Sequence, residues 1–285
     1  AVLTSLTSVT SPTSPTVPRC LPRRGPRRVR QWGMANSPSG DSTIDRLVRI
    51  LETFSTDRTV QTAAEIGRRA GLPSSTAHRI VDDLVDAGIL ERDEHHRIRL
   101  GMRLWELALR GSRALRLRQA ALPFMERVQA RIREHTQLAV LEQDEALFLE
   151  RLSSPTSGAN ITRVAGRLPL NASSSGLVLL AYADAEVVER VFAKPLQAVS
   201  AETITDAAVL RRTLADVRRR GHVVSPGSIE RVSTGVAVPV RDERGRVIAA
   251  LSVVLPRDSG AEAAAIEELT SASAGITKVL SRRRE

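Results

Sequence analysis

The stretch AAEIGRRAGLPSSTAHRIVDDLVDAGIL, residues 63–90, limits what this chain can fold into more than any other. Apolar residues recur at helical spacing on both sides of Gly71, Leu72 and Pro73, a break that ends one helix and lets another begin. On a 100° wheel Ala77, Ile80, Val81, Leu84 and Val85 gather on the inner side of the second helix. Ser75, Arg79, Asp82 and Asp86 point the other way, with Ser74, Thr76 and His78 on the flanks. Small hydroxyls and one arginine in the opening turns suit a major groove. Arginine binds guanine through two hydrogen bonds, hydroxyls suit bases or phosphates, and a helix N-terminus favours phosphate oxygens. Aspartates cannot lie against phosphate, and here they occur only further along. The helix is expected to dip its first turns into the groove and lift its end away, which makes Ser74, Ser75, Thr76, His78 and Arg79 the candidate DNA contacts.

The flanks extend this pattern. Ile44, Leu47, Ile50, Leu51 and Phe54 predict a first helix capped by Asp41 or Ser42, and Thr62 caps the second. Beyond Gly88, "ILERD" and "RIRLG" predict a hairpin around "EHH". Helix, helix, turn, helix and hairpin is the order of a winged helix-turn-helix, placed at residues 41–101. Arg97 and Arg99 of the wing are expected to touch the DNA backbone, while Asp93 and Glu94 disfavour its deep insertion. The same pattern occurs in packed domains that never meet DNA, and residues 41–100 carry nine arginines against eleven acidic residues.

The net charge of +10 therefore comes from elsewhere. Residues 1–33 hold six arginines and no acid, and residues 101–118 hold five arginines and one glutamate. Residues 1–40 read as a disordered basic extension rich in Ser, Thr, Pro and Arg. Three readings stand for its first 33 residues: a transit-type segment, a nonspecific DNA-binding arm, or translated upstream GC-rich sequence ahead of a start at Met34. Seven scattered aromatics argue against a stacking platform for single strands. One cysteine and five histidines without ligand spacing predict no metal, and no cofactor is expected. The longest apolar candidate, "SSSGLVLLAYA", is too short to span a bilayer, so a soluble, cytoplasmic protein with no membrane partner is expected.

Residues 103–118 predict a helix weakened at Gly111, assigned at 102–118 as a linker and dimerisation helix, and residues 120–134 predict another. Trp105 and the nearby leucines read as dimer or core packing. Residues 119–285 then mix strands and helices. "QLAVLEQ" and "ALFLERL" form a hairpin turning at Asp144 and Glu145, "NITRVA" is a strand, and residues 174–193 and 206–220 are helical. "HVVS", "TGVAVPV" and "VIAALSVVL" are strands, and a helix closes the chain over about 261–281. Hairpin-linked strands interspersed with helices predict an α+β domain with a largely antiparallel sheet.

The chain resembles the IclR-type family of bacterial transcription regulators over about residues 42–283. Beyond the helix-turn-helix stretch, the resemblance rests on "GRLPLNASSSGLVLLAYA", "RRRGHVVSPG" and "GVAVPVRDERGRVIAALSVV" in that order. It implies a winged helix, a linker helix that pairs two chains, and a C-terminal α/β ligand-binding domain similar to GAF and PAS folds. It also implies a homodimer or dimer of dimers on palindromic double-stranded operators, answering to a small organic acid, with repression as the expected outcome. The effector would sit between the turn "NASSSG" and the sheet, which nominates Ser174, Ser175 and Gly176. Helix-N-terminal N–H groups there suit a carboxylate, although the same serines also serve as caps. Matching the sheet motifs adds Ser225, Gly235 and Ser252. Two departures stand out: family members often carry His at position 171, here Asn171, and an acid at 225, here Ser225.

Two other function classes compete. A serine-dependent hydrolase lacks a GxSxG elbow and an assignable base. A sequence-indifferent DNA binder would carry positive charge on its DNA-facing domain, the one region with a negative balance.

Overall fold

A computed structural model of the chain describes residues 41–55, 57–153 and 161–282. The expectations for the basic extension, residues 1–40, lie outside the described residues. The described residues divide into two compact units, one up to Val81 and one from Asp82.

In the first unit α1 (Thr43–Glu52) opens on a capping box: Ser42 Oγ accepts from the Asp45 N–H, and the Asp45 carboxylate accepts from the Ser42 N–H at 2.9 Å. The cap is thus Ser42, while Asp41 pairs with Arg49 at 2.6 Å. After the short strand β1 (Val60–Gln61), Thr62 and Glu65 build a second box at the head of α2 (Ala63–Arg69). Gly71, at φ 63°, reverses the chain, and α3 (Ser74–Asp86) begins behind Pro73, whose carbonyl accepts from the Ala77 N–H. A Cβ on Gly67 would lie 2.9 Å from the Ala77 methyl, so this glycine lets α2 and α3 cross closely. Ile50, Ile66, Ala77, Ile80 and Val81 are buried, which is the inward face read from the wheel.

In the second unit β2 (Leu90–Arg92) and β3 (Ile98–Leu100) pair antiparallel as the wing. The helix expected over 103–118 is instead two helices. The chain breaks at Ser112, whose extended backbone (ψ 117°) ends α4 (Met102–Gly111) and whose hydroxyl accepts from the Leu115 N–H to start α5 (Arg113–Ile132). A six-stranded antiparallel sheet follows, in the order β6-β5-β4-β9-β8-β7. It comprises β4 (His135–Glu142), β5 (Glu145–Leu152), β6 (Arg167–Pro169), β7 (Val223–Pro226), β8 (Ser233–Arg241) and β9 (Val247–Pro256). The β4–β5 turn is Gln143-Asp144, both at positive φ, one residue earlier than expected. The strand expected at "NITRVA" is not one where it is described. Arg163 to Gly166 form a tight turn, with Ala165 at φ 62°, and the strand follows as β6. Residues 174–193 are likewise two helices, α6 (Ser174–Ala181) and α7 (Ala185–Phe192), because the chain turns at Tyr182 and restarts with Asp184 as N-cap.

α5 and α9 (Glu262–Arg282) cover the sheet face built from Val236, Val238, Leu251 and Val253. α6 and α8 (Ala207–Arg220) cover the face that carries Ala139, Ala237 and Ala250. This is the expected α+β sheet-and-helix domain behind a helix-turn-helix. α5 and α9 approach so closely that a Cβ on Gly275 would fall 2.0 Å from Phe124 Cε1. Gly275→Val should therefore destabilise the domain by about 1–3 kcal/mol through overpacking, seen as a lower urea midpoint with an unchanged slope.

Candidate effector cavity and DNA-reading helix

Ser74, Ser75, His78 and Arg79 are exposed on the opening turns of α3, and Thr76 is half-buried. The His78 ring folds back on the helix start, with Nδ1 2.8 Å from the Ser74 carbonyl oxygen. In the second unit, Asp82 is matched at 2.5 Å by Arg92 of β2. That pairing was hidden in the sequence, since nothing local marks a contact ten residues apart. Arg97 and Arg99 are exposed on the wing; Arg97 is at its turn, and Arg99 Nε donates to Glu91 at 3.1 Å. The Asp93 carboxylate accepts from the N–H groups of Arg97 and His95, and these bonds, that from Arg97 foremost, hold its pKa below the usual carboxylate value. Its charge thus organises the wing turn.

The cavity is built around the start of α6. Ser173 is the N-cap: its hydroxyl accepts from Gly176 N–H at 3.0 Å, and its carbonyl accepts from Leu177 N–H. The N–H groups of Ser174 and Ser175 stay outside the intrahelical ladder. Ser174, Ser225 and Gly235 come together as lining of one narrow cleft. The Ser174 hydroxyl, in a residue only 8% exposed, has no hydrogen-bond partner among the described residues. A Cβ on Gly235 would fall 2.6 Å from Ser174 Oγ, so the glycine makes room for that hydroxyl. Ser225 pairs with Ser228.

Ser175, Gly176 and Ser252 do not line the cleft. Ser175 Oγ donates to Ser252 Oγ at 2.9 Å behind it, and a Cβ on Gly176 would strike the Leu170 carbonyl oxygen at 2.5 Å. These three hold α6 on the sheet. Asn171 also lies off the cleft and bridges loop carbonyls through Nδ2, to Gln197 at 2.8 Å and Ile204 at 2.9 Å.

Sequence reasoning missed Gln137, Phe148, Thr162 and Glu230 in the lining. Gln137 left a signal, a polar residue in the buried strand "HTQLAVLE"; its Nε2 donates to Thr162 Oγ1 at 2.5 Å. The wall continues outward. Arg151 Nη1 donates to the Thr162 carbonyl at 2.5 Å, Arg151 N–H to Glu150 Oε1 at 2.9 Å, and Arg118 of α5 meets Glu150 Oε2 at 2.5 Å. The β4–β5 register slips beside Leu138, pairing it with Glu150 and the next residue, Ala139, with Phe148. This bulge sends Phe148 to the cavity and frees Glu150 to reach α5.

A helix-turn-helix with an exposed hydroxyl-and-arginine face, in one chain with a sheet domain that carries a cleft, defines a ligand-sensing transcription regulator. The IclR helix-turn-helix domain model matches residues 43–94, and the bacterial transcriptional regulator IclR C-terminal model matches residues 112–277. The chain belongs to the IclR family of bacterial transcriptional regulators, proteins that bind DNA under the control of an effector. It is 62% identical to an IclR homologue of Microbacterium hydrocarbonoxydans crystallised with 4-hydroxybenzoate, over 84% of this chain and 99% of that one, at a TM-score of 0.80. It is 28% identical to the HTH-type transcriptional regulator XynR of Escherichia coli K12, over 84% of this chain and 96% of XynR. It is 29% identical to the p-hydroxybenzoate hydroxylase transcriptional activator of Acinetobacter baylyi, over 71% of this chain and 77% of that protein.

Glu150 is 8% exposed at its side chain and Arg118 39%. Arg118→Ala should strand a buried carboxylate and cost about 1–3 kcal/mol, less than the loss for a fully buried pair because Arg118 is partly in water. Adding Glu150→Gln to that variant should restore part of the loss, as measured by chemical denaturation of both proteins.

Proposed function

We propose that this protein is a homodimeric, cytoplasmic repressor that binds a palindromic operator and answers to a small aromatic acid of the 4-hydroxybenzoate type. The observation that carries this reading is the cleft at the N-terminus of α6, lined by the Ser174 hydroxyl, where a helix start favours an anion. It draws support from the relative crystallised with 4-hydroxybenzoate. The domain scheme behind it is a winged helix-turn-helix at 41–101, a linker from 102 and an effector domain to the C-terminus.

Dimerisation is argued from α4. None of its residues is buried, yet Met102 and Trp105, 61% and 58% exposed, share a helical stripe with Leu109. A ten-residue helix with such a stripe is marginal alone, and a second copy is the partner that supplies its cover; pairing of dimers would give the tetramer. Repression is the simplest outcome for a protein that occupies promoter DNA and thereby excludes polymerase. Among the described residues no helix is long and apolar enough to cross a membrane.

The test is selection of binding sites from a random DNA library, with and without 4-hydroxybenzoate, at near-physiological salt. A palindromic motif whose enrichment falls with the acid is expected; no motif, or no response, would count against the reading. Arg79→Ala should lose about tenfold or more in preference for that motif over random DNA, since one bidentate base contact is worth about 1–3 kcal/mol. An equal loss on both DNAs would assign Arg79 to phosphate. Gly235→Ala should keep the fold and operator binding but lose the response to the acid, because the new methyl displaces Ser174 Oγ. Trp105→Glu should shift the sedimentation coefficient towards that of a monomer.

A further inference from the structure

The charge inside the cleft carries a further conclusion, which rests on the reading that the cleft takes a small aromatic acid. Glu230 is the one ionisable side chain among the described lining residues; no Lys, Arg or His joins it. Its backbone is fixed in the turn ahead of β8, where its carbonyl accepts from the N–H and the hydroxyl of Ser233, each at 3.0 Å. Its carboxylate has no hydrogen bond or ion pair among the described residues, although Glu230 is half-buried. The nearby hydroxyls of Ser225 and Ser228 share one hydrogen bond.

Two carboxylates in one cleft repel, and no cation stands between them to offset this. An acid is therefore favoured with its carboxylate at Ser174, beside the start of α6, and its other end towards Glu230. That end meets an anionic acceptor and must offer it a proton. A hydroxyl or amino group does so; a bare ring leaves a desolvated carboxylate unpaired, which is costly.

We propose that Glu230 is the specificity-determining acceptor of the cleft and selects ring acids that carry a hydroxyl or amino donor opposite their carboxylate. It sets which acid is sensed, while Ser174 and the α6 N-terminus set that an acid is sensed at all.

Calorimetric titration of the full chain with 4-hydroxybenzoate, 4-aminobenzoate and benzoate tests this. The wild type is expected to bind the first two about tenfold or more tighter than benzoate. Glu230→Ala should bring all three within about twofold, chiefly by weakening the two donors, and Glu230→Gln, which keeps a carbonyl acceptor, should retain part of the preference. A purely structural loss would weaken all three acids alike and leave their ratio unchanged, which overturns the proposal. Equal binding of benzoate and 4-hydroxybenzoate by the wild type also overturns it while leaving the effector reading intact. Failure of all three acids to bind the wild type removes the effector reading and the proposal together.

Discussion

The close approach of α6 to the sheet is the constraint on which the sensing domain depends. Alternation along β8 and β9 sends Val236, Val238, Leu251 and Val253 to one face and Gly235, Ala237, Ala250 and Ser252 to the other. The first face is bulky and packs under α5 and α9 as an ordinary apolar core. The second is small enough for α6 to lie against it with all eight of its residues buried. Gly176 lies against the Leu170 backbone, where any side chain would push the helix away, and Gly235 leaves room for the Ser174 hydroxyl. Because the helix is that close, its first turn opens into the cleft.

The cleft is also tied to the chain outside it. Thr162, Arg151, Glu150 and Arg118 form a continuous run of hydrogen bonds from the cleft wall to α5, the helix that follows α4 across the Ser112 break. A buried carboxylate with one cation is a poor source of stability but a good source of registry, since it is satisfied in one arrangement only. The same bulge that aims Phe148 at the cavity lets Glu150 reach α5, so the site and its anchor arise from one irregularity in β5. The run ties the cleft wall to α5; the apolar stripe on α4 lies one helix further on.

At the DNA-reading end, charge is arranged along one helix. The opening turns of α3 carry hydroxyls, an imidazole and an arginine without an acid, and the aspartates follow. One of them, Asp82, is matched by Arg92 of the wing hairpin. The wing's own acid, Asp93, is occupied by backbone N–H groups, so its negative charge serves the hairpin turn. The net acidity of residues 41–100 is therefore no bar to DNA binding, because part of it is committed to local structure.

The sequence by itself determined whatever depends on neighbours within a few turns: the Thr62 cap, the Gly71–Pro73 break, the inward face of α3, the hairpins and the order of an α+β domain. Such signals are local, because helix and strand periodicities and cap hydrogen bonds involve residues three or four apart. Tertiary structure alone decided which of the three adjacent serines line the cleft: Ser173 and Ser174 do, and Ser175 does not. Ser174 opens into it and Ser175 reaches Ser252, because successive helix residues differ by about 100° and the sheet sets the zero of that rotation. It likewise decided that Glu230 belongs to the cleft, that Glu150 finds Arg118 32 positions away, and that a helix legible over 103–118 divides at Ser112. Each of these rests on register and packing between segments distant in sequence, which no local pattern encodes.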